Sequence, residues 1–136
     1  MRAPKQTLPT EAQSSQRESY CLLASALQHC GGTGPVSDLG AARGGRLVIT
    51  LGVNHVAEGA RLVVSIWGSA CGDKWGNSPL LSFPPKSYCG IYATFLNLAD
   101  HPGVRFLQVR WNMLGSGQSC PKTFFGFYVD ATSSNV

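Results

Sequence analysis

Charge is what this chain has least of. Asp, Glu, Lys and Arg supply 13% of its 136 residues, about half the ~25% usual in a soluble domain. So little charge leaves much weakly solvated surface, which favours burial against partners or copies of the same chain. No run approaches the ~20 apolar residues that cross a bilayer as a helix, so no membrane partner is expected. The opening residues Met1 to Thr10 have no apolar core and do not read as a secretory signal. Paired Cys-x-x-Cys spacings, which announce zinc sites, do not occur, nor does a Gly-x-Ser-x-Gly nucleophile elbow. Internal repeats and heptads are also missing.

The charge that is present is basic and dispersed. Eleven Lys and Arg against seven Asp and Glu give a net charge of +4. Nucleic-acid binders concentrate such charge on one face or helix. Here no two bases stand closer in sequence than Arg43 and Arg46 do, and no nucleic-acid partner is expected. Cys21, Cys30, Cys71, Cys89 and Cys120 are odd in number and irregular in spacing, a poor disulfide framework. Reduced thiols and a cytoplasmic location, or a particle assembled in the cytoplasm, follow as the expectation. Cys71 and Cys120 lie in turn-like contexts and are the pair open to bonding if the chain is exported.

Apolar alternation at period two dominates the rest. Leu47, Ile49, Leu51 and Val53 share one face of a strand, as do Leu62, Val64 and Ile66 of the next. Val104 to Met113 is the cleanest strand, with Leu107, Val109, Trp111 and Met113 inward and Gln108 and Arg110 outward. Ser78 to Phe83 is short, and Pro79, Pro84 and Pro85 confine it to an edge. Residues 20–28 fit either a helix, through Leu22, Leu23, Ala26 and Leu27, or an edge strand. The all-β remainder favours the strand.

The expected fold is an all-β antiparallel two-sheet sandwich, jelly-roll-like, of about eight strands. Its domain spans residues 20–130, between a flexible polar tail at 1–19 and a C-terminal tail at 131–136. Trp67 and Trp111, both within strands, are expected in the core.

Six elements carry a resemblance: Leu47 to Val53, Val64 to Ser69, Ser82 to Pro84, Tyr88 to Gly90, Val104 to Leu107 and Phe125 to Tyr128. On these the chain resembles a family of short uncharacterised bacterial proteins. More distantly it is similar to small phage-encoded β-sandwich structural proteins, which carry a Ser-x-Asp-Gly-x-x-Trp turn. The resemblance implies a sandwich and an assembly context, with no activity attached. The chain departs from it at Cys71, where an Asp is expected before Gly72. A thiol is a poorer turn acceptor than a carboxylate, so a metal role for this turn is not expected.

Candidate chemistry is sparse. His29, His55 and His101 have no sequence neighbour that reads as an orienting acid, and Asp100-His101-Pro102 reads as a turn. His29-Cys30 and the pair Cys71 and Cys89 lack metal-site spacing and read as idle thiols. Asp73 and Asn77 fall short of the roughly six to eight oxygens calcium takes. No catalytic residue, metal or cofactor is expected, and the chain does not read as an enzyme.

Two function classes remain. The first is a non-enzymatic structural or assembly subunit that self-associates or decorates a phage-derived or bacterial particle. Its Met1–Ser19 tail, with Arg2, Lys5 and Arg17, would reach a neighbour. The alternative is a ligand-binding module for carbohydrate. Loop rings Trp75 and Tyr88 would stack a sugar while Asp73, Lys74 and Asn77 meet its hydroxyls.

Overall fold

The computed structural model describes residues 19–28, 31–40, 45–56, 59–114 and 125–134. The Met1–Ser19 tail, with Arg2, Lys5 and Arg17, lies outside them except for Ser19, as do His29, Cys30 and Cys120. Eight strands follow one another: β1 (Ser19–Gln28), β2 (Gly32–Asp38), β3 (Arg46–His55), β4 (Arg61–Ser69), β5 (Leu81–Ser82), β6 (Gly90–Asn97), β7 (Phe106–Leu114) and β8 (Phe125–Ser134). A 3-10 turn, Leu98–Asp100, follows β6, with Asn97 Oδ1 accepting the Ala99 N–H at 3.1 Å.

The strands form two four-stranded sheets, in the orders β1-β8-β3-β6 and β2-β7-β4-β5. Pairing runs β1 with β8, β2 with β7, β3 with β6 and β4 with β5, all antiparallel. That is the pattern of a chain folded back on itself into one long ribbon. Rolling the ribbon up adds the β3–β8 and β4–β7 ladders. The result is the jelly-roll sandwich that the alternation implies.

Alternation then fills the space between the sheets. Leu47, Ile49 and Leu51 of β3 and Phe125, Phe127, Val129 and Ala131 of β8 are buried from one side. From the other side come Leu62, Val64 and Ile66 of β4 and Leu107 and Val109 of β7. Each large apolar side chain so buried contributes about 1.5–3 kcal/mol before conformational entropy is charged. Trp111 packs partly buried against this core, its ring 5.6 Å from that of Phe127 at 73°.

Residues 19–28 form an edge strand. The register slips between Cys21 and Leu23 and again between Leu23 and Ala26. These irregularities let adjacent Leu22 and Leu23 both turn inward, which produces the helix-like spacing. Two expectations are corrected. Trp67 is not in the core: neighbours Val64 and Ile66 face inward, so Trp67 faces out, half-buried. The strand β8 also runs beyond Asp130 to Ser134, where a tail was expected. Thr132 pairs with Val48 on β3 and Ser19 on β1. A centrally placed backbone needs no apolar side chains to stay in the ladder.

Candidate functional site

Residues Ala70 to Asn77 leave the end of β4 as an irregular turn. Ser69, the last residue of β4, is buried, and its hydroxyl oxygen accepts the N–H of Cys71 at 3.2 Å and of Gly72 at 2.9 Å. Its carbonyl accepts the Arg105 N–H at 3.0 Å, so a buried polar residue is satisfied on both sides. Gly72 and Gly76 reverse the chain at φ +88° and +76°, values that a side chain would strain.

Cys71 opens this turn directly before Gly72. Its sulfur lies 3.7 Å from the Ser69 hydroxyl. The backbone N–H groups of Asp73 and then Lys74, with the Ser69 hydroxyl, favour the thiolate and hold the Cys71 pKa below its ordinary value, against smaller opposing effects of desolvation and the Asp73 carboxylate. The Cys71 thiol is exposed, as are Cys21 and Cys89, and all three are free.

The turn lays Trp75 over the outer face of the second sheet. There the guanidinium of Arg110 lies 4.2 Å from the Trp67 ring centroid and 5.9 Å from that of Trp75. The β4–β7 register explains the first contact. Trp67 stands opposite Gln108 and Ser65 opposite Arg110, so Trp67 and Arg110 are diagonal neighbours on one face. Hydrogen bonds fix the group. Trp67 Nε1 donates to Ser65 Oγ at 3.0 Å, and the Ser65 hydroxyl donates to the Arg110 carbonyl at 3.3 Å. Arg110 Nε donates to Gln108 Oε1 at 3.2 Å, and Gln108 Nε2 donates to the Gly34 carbonyl of β2 at 3.1 Å.

Of the residues proposed for stacking a sugar, Asp73, Trp75 and Asn77 share this turn, while Asp73 and Asn77 are exposed. Tyr88 stands apart. Lys86 is bridged to Leu62 near the start of β4, so Tyr88 belongs to the other end of the sandwich. It is 78% exposed, and its carbonyl accepts the Tyr92 hydroxyl at 2.9 Å. Among the described residues no three His, Cys, Asp or Glu gather as a metal site. Arg110 and Trp67 were not read as site residues. Their shared outward face was legible in the alternation, but the β4–β7 register that joins them was not.

A second exposed feature lies on the first sheet. Ile91 and Phe95 of edge strand β6 are 73% and 65% exposed, with exposed Ala93 between them. Phe95 and Ala93 stand opposite Val48 and Thr50 of β3, and the Arg46 guanidinium lies 5.3 Å from the Phe95 ring.

No protein-family model and no curated protein matches this sequence. Solved structures match in fold. A chain in the structure of infectious bursal disease virus, Gx strain, is similar at a TM-score of 0.50 and 9% identity, over 86% of this chain and 32% of that one. The K3 cleaved adhesin domain of Lys-gingipain from Porphyromonas gingivalis matches at 0.49 and 14% identity, over 75% and 62%. The chain thus spans less than two thirds of either. The likeness extends to the viral β-sandwich as a fold.

Proposed function

We propose that this jelly roll is a non-enzymatic structural subunit that associates with copies of itself, as a particle or polymer component assembled in the cytoplasm. One observation carries the reading: β6 combines a backbone edge unpaired among the described residues with a row of exposed Ile91, Ala93 and Phe95. Monomeric proteins blunt edges with charge, proline or cover, as the proline-flanked two-residue β5 does on the other sheet. An apolar open edge is instead a surface that association covers. The sandwich it shares with a virus structure supports the same reading at the level of fold.

Light scattering after size exclusion tests it. At rising concentration the 14.5 kDa chain is expected to run as an oligomer, and Ile91→Lys with Phe95→Lys to return it to monomer. Electron microscopy of the same sample separates particle from filament. A strict monomer at high concentration would sink the proposal.

A further inference from the structure

We propose that Arg110, Trp67 and Trp75 form a binding site for an acidic saccharide, with the sugar carboxylate on the Arg110 guanidinium and the sugar ring against the Trp75 indole. The site is on the second sheet, whereas β6 is in the first, so it stands or falls separately from self-association.

A guanidinium presents five N–H donors in a planar fork that matches a carboxylate. The forks of Arg105 and Arg110 differ. Arg105 is closed: Nε and Nη2 each donate to an Asp38 carboxylate oxygen at 3.1 Å. Arg110 is open. Its Nε is occupied by Gln108, and its terminal nitrogens have no hydrogen bond or ion pair among the described residues. Yet Arg110 is half-buried and held by Trp67 and by the Gln108–Gly34 link. An arginine ordered without a charged partner is preorganised for a ligand, because the rotamer entropy of binding is already spent.

The neighbouring ring selects the kind of carboxylate. Trp75 sits outside the strands, half-buried, beside the same guanidinium. An indole face there adds apolar contact for a ligand whose carboxylate is attached to a ring, and exposed Asp73 and Asn77 in the same turn offer acceptors and donors to hydroxyls. A nucleic acid needs several phosphates neutralised together, whereas here Lys74 stands beside the Asp73 carboxylate in the turn and Arg105 is paired with Asp38. An acidic peptide side chain would use the fork and leave the indole idle.

Isothermal titration of the full chain with trigalacturonate, neutral galactotriose and triglutamate tests the site. Trigalacturonate is expected to bind saturably, with quenching of tryptophan fluorescence, and galactotriose at least about tenfold more weakly, the loss of the charge-assisted pair. Arg110→Lys, which keeps the charge but not the fork, and Trp75→Ala are each expected to weaken trigalacturonate by about tenfold or more. Trp75 lies outside the strands, so its variant reads the site even if Arg110→Lys fails to fold. Absence of saturable trigalacturonate binding, or equal binding of galactotriose, overturns the proposal. So does triglutamate binding as tightly while Trp75→Ala changes nothing.

Discussion

The ring of Tyr128 lies directly over Gly52, its partner across the β3–β8 ladder on the outer face of the first sheet. A Cβ at position 52 would stand among Cε2, Cζ and Oη of that ring. Gly52→Ala is therefore expected to destabilise the fold by about 1–3 kcal/mol, the cost of overpacking. Urea unfolding of a double-mutant cycle checks this. In a Tyr128→Ala background the same substitution should cost clearly less, and equal costs in the two backgrounds would contradict the close approach.

The tryptophan correction gives a ranking. Phe127→Ala empties a fully buried site between the sheets and is expected to cost about 3–5 kcal/mol. Trp67→Ala removes an outward ring and its cation–π contact, worth about 0.5–2 kcal/mol. Denaturant midpoints measured side by side should keep that order. A reversal would return Trp67 to the core.

Cys71 should be the most reactive of the exposed thiols. Its pKa is lowered chiefly by the Asp73 and Lys74 N–H donors, so thiolate persists to lower pH than at an ordinary cysteine. A depressed acid stabilises the fold above its unfolded pKa and loses that contribution as pH falls through the folded value. Full exposure makes the rate the quantity to read. Iodoacetamide labelling across the mildly alkaline range, followed by peptide mass mapping, is expected to modify Cys71 before Cys21 or Cys89. Ser69→Ala should narrow the lead, since it removes the third donor and leaves two backbone N–H groups without their acceptor.

The Asp38–Arg105 pair should matter little, and less in salt. It is bidentate but exposed, with the Arg105 guanidinium also 5.3 Å from the Phe106 ring. Asp38 raises the Arg105 pKa above an already high value, so the guanidinium stays charged and the contribution is present throughout the neutral range, falling in strong alkali as Arg105 loses its proton. Thermal melts of Asp38→Asn are expected to show a small loss in dilute buffer that disappears in molar salt. A loss independent of salt would contradict an ionic origin, since Asp38→Asn keeps an acceptor oxygen for the Gly40 N–H.

Much of the scaffold was legible in the residues, and the failures have definite causes. Period two placed Leu62, Val64 and Ile66 of β4 inside, and the same period puts Trp67 outside. Reading Trp67 as core let side-chain hydrophobicity override the alternation, although a ring stacked on Arg110 needs no interior. The polar residues 131–134 carried no strand signal because their pairing rests on backbone alone, with β1 on one side and β3 on the other. The Trp75 turn was recognised as a place for a ring. Its partner Arg110 arrives through the register of two strands distant in sequence, which spacing does not reveal.

The place of β8 between β1 and β3 bears on how the chain reaches this state. The first strand in sequence has no neighbour in its own sheet until the last of the eight has been made. During synthesis β3 can meet β6, and β4 can meet β5 and β7, while Leu22 and Leu23 wait for a surface to cover. Closure of so long a ribbon makes distant contacts dominate, a topology that folds slowly compared with local ones. The second sheet can form before β8 is made, whereas completion of the first waits for that strand, and the β6 edge stands open throughout that interval.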